Sequence, residues 1–364
     1  MIDAYSRRIL AYYISFDPPS KISVMMVVRE CVRRFNRLPE CIVVDNGAEF
    51  HSAYFQQVLS RRNCDIQWRP PTKPRFGAIM ERFIKTMNMQ FVHRLEGNTK
   101  IMALKLRLVT KKVNPKRLAV WNLPILEEET EKYFYEEYDT REHSSLGQSP
   151  RDAFEDSIRR YKLPGDVDCP VPYDENFIVD ILPTTRSGEA KAVPSRGVKI
   201  FGIFYKSRAL KISGVYGKKV EVRYDPWDAS VAYAFINGRW ETLCAPMDIF
   251  NKLKNRSRKE MKALTQELRR EKSLYGKNFN ARAMEQAEQH ASREKKQEIE
   301  KQRQRDAQKR EAALRAGKHL SVTDFTGGSE PQEAPKETTS QKPTARTKRM
   351  EKPRTFASRR RRAA

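Results

Sequence analysis

The chain has 364 residues and a formal net charge of +25, with 71 lysines and arginines against 46 aspartates and glutamates. That length allows two or three domains, and that charge makes a polyanion, most simply nucleic acid, the expected partner. No apolar run can span a bilayer, Arg7 and Arg8 interrupt the apolar core a signal peptide would need after Met1, and five scattered cysteines without a C-x-x-C pair argue for reduced cytoplasmic thiols over a disulfide framework or a structural zinc site.

Strand and helix patterns alternate over the first hundred residues. Ile9 to Ser15 reads as a strand. Pro19 to Asn36 reads as a helix that Ser20 caps, with Ile22, Met25, Met26, Val28 and Val32 as its apolar stripe. "CIVVD" is a short buried strand, residues 52–62 a helix and "CDIQW" a second strand. After "RPPTKP", residues 75–95 form a third helix with Ile79, Phe83, Met87, Phe91 and Leu95 at core spacing, and another helix covers residues 127–138. This alternation implies an α/β layer with parallel pairing over residues 1–160.

A Pro- and Gly-bearing linker, "YKLPGDVDCPVP", follows. The period then changes to two: "NFIVDIL", "GVKIFGIFY", "KKVEVRYD" and "SVAYAFINGRWETLC" read as short strands, and Asn237-Gly238 as a hairpin turn. Residues 173–246 therefore suggest a small all-β barrel. Residues 248–316, dense in Lys, Glu, Arg and Gln, read as a solvated helical segment with little packing of its own. Residues 317–364 have the composition of a disordered basic tail ending in four arginines.

The chemistry-bearing pattern is "VVDNGAEF" followed by "GAIMERF". Asp45 stands at the carboxyl end of a buried strand, where α/β sheets place their ligands. Glu81 lies on a helix, with thirty-five residues between it and Asp45. One acid on a strand tip and one on a nearby helix can converge on a metal ion, and Lys85, one turn past Glu81, could hold a phosphate beside it. Singly, each acid also has an ordinary role: Asp before Asn-Gly serves turns, and Glu four residues before Lys makes a surface pair. The pair, its spacing and the basic composition together favour the metal reading. Lys111, Lys112, Lys116 and Arg117 form a basic loop that reads equally as phosphate contacts or as a solvated loop.

"DNGAEF" and "GAIMERF" at this separation resemble the catalytic core of retroviral-type integrases and DDE transposases. "YDTREHSSLGQSPRDAF" resembles the stretch after their catalytic helix. Residues 195–230 look like the small barrel that follows the core in the bacteriophage Mu and TnsB-type transposases. The resemblance implies an RNase H-like integrase core and transfer of DNA strands by metal-assisted phosphoryl chemistry. In the family, three carboxylates hold two Mg²⁺ (Mn²⁺ as a substitute) about 4 Å apart. Asp45 and Glu81 match the second and third of these acids. It further implies DNA partners (transposon ends and target), a homo-oligomer at full length, an AAA+ ATPase target selector reached by the C-terminal tail, and a bacterial cytoplasmic setting. The tail could instead bind DNA phosphates.

Asp3 is the obvious candidate for the first acid, but "IDAYSRRILAYYIS" matches the turn after the second strand of the family core, and Asp3, Ser6 and Arg7 are turn chemistry. The expectation is therefore a core incomplete at its N-terminus, whose first catalytic acid lies upstream of Met1 and which is inactive alone. The rival reading is a non-catalytic DNA- and partner-binding fragment that modulates a full-length transposase. His143 in "REHSS" is expected to make a structural hydrogen bond.

Overall fold

A turn at Asp3 opens the chain. The computed structural model describes residues 1–70, 77–100, 114, 118, 120–161, 170–212, 214–270, 284–285, 288–289 and 291–326. The Ser6 N–H and Oγ both donate to Asp3 Oδ2, at 2.7 and 2.6 Å. Arg7 takes a φ of 63°, and Ile2 bridges Ile9 in antiparallel fashion. The strand expected over Ile9 to Ser15 is not built: beyond that bridge residues 10–15 belong to no ladder, although Ile9, Leu10 and Ala11 are buried. An apolar run can bury its side chains without a ladder when no neighbouring strand lies within hydrogen-bond reach.

Helix α1 (Lys21–Phe35) starts at a reciprocal cap between Ser20 and Ser23 and stops at Asn36 in the left-handed conformation. It buries Met25, Val28, Cys31 and Val32. Strands β1 (Cys41–Val44) and β2 (Asp65–Trp68) pair in parallel, with Val44 opposite Trp68. Helix α2 (Ala53–Ser60), capped by Ser52, connects them. Parallel neighbours need such a crossover. Helix α3 (Ala78–Gln90) is shorter than the sequence pattern suggests. Phe83 is its one buried side chain, while Ile79, Met87 and Phe91 are half-buried. Helix α4 (Leu123–Lys132), capped by Asn122, begins before the expected position and widens into a π-helical turn, Tyr133–Tyr138. That turn packs Phe134 and Tyr138 on Phe83. Helix α5 (Pro150–Tyr161) follows.

"NFIVDIL" is a helix, α6 (Glu175–Asp180), and not a strand. Asp174 caps it by accepting the Phe177 N–H at 2.7 Å, and Phe177, Ile178 and Val179 are all buried. A short run that is apolar on every side carries no period, so the cap decides its conformation. Six antiparallel strands come next: β3 (Glu189–Val193), β4 (Gly197–Ile200), β5 (Ile203–Tyr205), β6 (Lys219–Tyr224), β7 (Val231–Ile236) and β8 (Arg239–Cys244). Their spatial order is β5-β4-β3-β6-β7-β8. The sheet curls until its outer strands touch, where Lys206 and Cys244 exchange both backbone hydrogen bonds at 2.8 and 2.9 Å. It is a half-barrel, compatible with the barrel expected here. The β7–β8 turn uses Asn237 and Gly238, both at positive φ.

Short helix α7 (Arg208–Ile212) follows β5, and α8 (Met247–Leu253), α9 (Arg258–Arg270), α10 (Arg293–Arg315) and α11 (Val322–Phe325) complete the described chain. The charged segment is better packed than its composition suggests. Along α10, Ile299, Asp306, Lys309, Ala312 and Ala313 are buried. The ions dock it in pairs: Lys309 with Asp17, and Arg303 with Glu260 at 2.7 Å. Composition cannot reveal which charges have partners. The tail expected to be disordered from residue 317 is packed over its first ten residues. Lys318 pairs with Glu127, and Leu320, Ser321 and Val322 are buried; residues 327–364 lie outside the described residues. One apolar cluster joins α1 and α2 to the half-barrel and to Val322. No described helix is long and apolar enough to cross a membrane.

Candidate metal centre

The carboxyl ends of β1 and β2 lie side by side because their parallel register puts Val44 opposite Trp68. The Arg69 N–H continues that ladder by donating to the Val44 carbonyl at 2.8 Å. Asp45 and Arg69 thus leave the sheet as neighbours. Asp45 is exposed, and its Oδ1 accepts the Gly47 N–H at 3.0 Å, which turns the chain back at Asn46-Gly47 and fixes the carboxylate's direction. Its Oδ2 lies 3.7 Å from Arg69 Nη2.

Glu81, on α3, lies near the same guanidinium without pairing to it. Gly77 is the N-cap of that helix and Glu81 lies in its first turn, where the helix dipole favours a negative charge. Arg69 lies directly over Gly77. A Cβ on Gly77 would overlap Arg69 Nη1 and stand 3.0 Å from its Cζ and 3.1 Å from Glu81 Oε1. The φ of Gly77 is −103°, which any residue adopts, so the glycine matters here for space and not for backbone freedom. Arg69 thus pairs with the acid on the strand tip, and its guanidinium shares the space over Gly77 with the acid at the helix start.

Lys85 is exposed on α3, one turn beyond Glu81. Lys111, Lys112, Lys116 and Arg117 lie outside the described residues. Trp68 is half-buried, with the His51 ring stacked on it at 4.3 Å. His143 bonds within its own turn, its Nδ1 3.0 Å from Ser145 Oγ. Burial, then Arg7 and Arg82, push its imidazole pKa down. The Asp3 carboxylate is engaged by Ser6.

Two carboxylates make a hard oxygen donor set. Mg²⁺ commonly binds one or two protein carboxylates and completes its shell with substrate phosphates and water. Among the described residues no group of three or more His, Cys, Asp or Glu side chains could hold a metal ion. Asp45 and Glu81 are oxygen donors of the type that suits a divalent cation held in that open manner.

Sequence reasoning missed Arg69. Its signal was the position directly after "CDIQW": in a parallel pair, the residue after one strand adjoins the residue after the other. It also missed the anchor of the opening turn. Asp139, buried, forms an ion pair with Arg8 at 3.1 Å and accepts from Arg151 Nε at 3.0 Å. The Arg8 guanidinium also faces the rings of Phe35 and Phe154. The "SRR" turn and the "YDTREHSSLGQSPRDAF" stretch are thus two sides of one ion cluster.

A family model described as the TnsB C-terminal domain matches residues 1–97, and one described as Mu transposase, C-terminal, matches residues 184–244. The first match contains Asp45, Arg69 and Glu81; the second contains the six strands of the half-barrel. The transposase for transposon Tn552 of Staphylococcus aureus is 23% identical over 251 residues, covering 67% of this chain and 47% of that protein. The chain spans about half the length of that relative.

Proposed function

We propose, on the premise that this chain belongs to a transposase family related to TnsB and Mu, that it acts in DNA transposition and that Asp45 and Glu81 hold a divalent cation, Mg²⁺ or Mn²⁺, against the DNA backbone. The observation that supports this reading is the place of Arg69 at the carboxyl end of the β1–β2 pair, where it pairs with Asp45 and lies over Gly77 near Glu81. A cation held there supplies charge stabilisation for displacement at a phosphodiester.

The chain's own residues divide the remaining work. The Gly47 N–H orients Asp45, and α3 places Glu81 in its first turn. Lys85, exposed on the same helix, is positioned to meet a phosphate. The net charge of +25 attracts the polyanion and makes the affinity fall with salt. We read the β1–α2–β2–α3 unit as part of an RNase H-like core and the half-barrel as a DNA-contacting module.

The chain is expected to be inactive alone, so the test is binding: Mn²⁺ should bind, its binding should be lost in Asp45→Asn and in Glu81→Gln, and salt-dependent binding of duplexes that carry the ends of the encoding element should be retained in both. Salt-sensitive DNA binding with no Mn²⁺ binding that needs the two acids would replace this reading with a non-catalytic binding module that modulates a separate transposase.

A further inference from the structure

We propose that Arg69 is an exchangeable counter-ion that couples divalent-cation binding at Asp45 and Glu81 to DNA backbone binding: a cation entering between the acids displaces the guanidinium, and the displaced guanidinium takes a phosphate. This deepens the function proposed above and rests on it.

Three observations carry the inference. Arg69 is bound by its backbone to the Val44 carbonyl, so its Cα stays beside Asp45 while its side chain is free to choose partners. Its contact with Asp45 is long, 3.7 Å, and the two side chains are 31% and 55% exposed. An ion pair that loose and wet is weak, so the guanidinium can be exchanged for another cation at small cost. Finally, residue 77 is a glycine whose missing Cβ is the space that the Arg69 guanidinium fills, with Glu81 Oε1 nearby. The seat depends on side-chain room and not on backbone conformation, since the φ of Gly77 is ordinary.

The electrostatics give the direction. A divalent cation held by Asp45 and Glu81 and a guanidinium paired with Asp45 repel, so the guanidinium leaves when the cation binds. A planar, permanently charged guanidinium released at the rim of a basic protein has phosphate oxygens as its best new partners. Coupling of this kind is reciprocal: DNA that takes Arg69 raises cation affinity, and the cation raises DNA affinity by the same factor.

The experiment measures Mn²⁺ binding by the loss of the free-ion paramagnetic resonance signal, on the full chain with no DNA present. Arg69→Gln should bind Mn²⁺ about fivefold to tenfold more tightly than the wild type, the range expected when one partly exposed cation is removed. Gly77→Ala, which bars the guanidinium from its seat without changing its charge, should move the affinity the same way. With a short duplex of arbitrary sequence, Mn²⁺ should strengthen DNA binding more in the wild type than in Arg69→Gln, each referenced to an Asp45→Asn/Glu81→Gln double variant. Equal or weaker Mn²⁺ binding in Arg69→Gln, while the wild type binds in a manner that needs Asp45 and Glu81, overturns the counter-ion role and leaves the metal reading intact. Acid-dependent binding seen in Arg69→Gln alone supports it. Binding in neither protein overturns the metal reading and this inference together.

Discussion

Replacing Arg29 with Met should release residues 318–326 from the body of the protein without unfolding it. Arg29 lies on α1 and is 3% exposed. Its Nε donates to the Tyr173 hydroxyl at 3.1 Å and its Nη1 to the Leu320 carbonyl at 3.0 Å, joining chain positions 291 residues apart. Its charge also faces Asp225, whose Oδ2 accepts the Val322 N–H at 3.1 Å. Two hydrogen bonds from a charged group are together worth about 3–6 kcal/mol. The lower end applies here, because Arg29 Nη2 is buried with no hydrogen-bond partner among the described residues, and removing it recovers about 1–3 kcal/mol of desolvation cost. A net loss of about 3 kcal/mol raises the local opening equilibrium about a hundredfold. The assay is hydrogen exchange at the Val322 amide, supported by tryptic cleavage after Lys318. Exchange should speed up by about that factor, with the amides of β7 and β8 protected as before. Unchanged protection at Val322 in a folded variant would mean that the apolar contacts of Leu320 and Val322 hold the segment unaided, and the clamp argument would be wrong.

Asp225 carries a pH prediction. Burial, then the neighbouring Asp228 carboxylate, push its pKa up to about 7, against the Trp227 and Val322 N–H groups and Arg29, which pull it down. A raised folded pKa favours the protonated fold. The stability it contributes is therefore complete below about pH 4, declines as the pH rises through 7 and stays low above it; Asp225→Asn should flatten that part of the melting-temperature profile relative to wild type. Asp3 carries the other. If its carboxylate serves the turn alone, Asp3→Ala removes the two bonds from Ser6 and costs about 1–2 kcal/mol, seen as a melting point lower by a few degrees, while acid-dependent Mn²⁺ binding stays at the wild-type value. A loss of Mn²⁺ binding in that variant would return Asp3 to the metal centre.

Legibility in the sequence followed the range of the interactions. Ser20, Ser52 and the Asn237-Gly238 turn act through bonds a few residues long, and the elements they delimit stand where the pattern puts them. The parallel β1–β2 pair was readable because two short apolar runs flank a capped helix. "NFIVDIL" misled because burial on every side erases the period, leaving only Asp174 to signal a helix. Helix α10 misled for a different reason: Lys309 and Arg303 look solvated until Asp17 and Glu260 arrive from distant segments. Arg69 belongs to this second kind. Its role follows from register, and register between strands is not written in either strand alone.

The Asp139 cluster ties these two ranges together. Locally, Arg8 is a turn residue and "REHSSLGQSPRD" a loop leading into a helix; neither has a buried partner that composition announces. Folded, Arg8 and Arg151 share the Asp139 carboxylate, and Arg151 also donates to the Tyr135 carbonyl in the π-helical turn at 2.6 Å. That turn packs Tyr138 and Phe134 onto Phe83 of α3, two residues after Glu81. The opening turn, the loop after the core helices and the helix that carries Glu81 are thus one mechanical unit, built on a single buried acid. Glu81 owes its position to that unit, and Asp45 owes its position to the β1–β2 register. The acids are set by independent parts of the fold, so damage to the Asp139 cluster should displace Glu81 and leave Asp45 where it is.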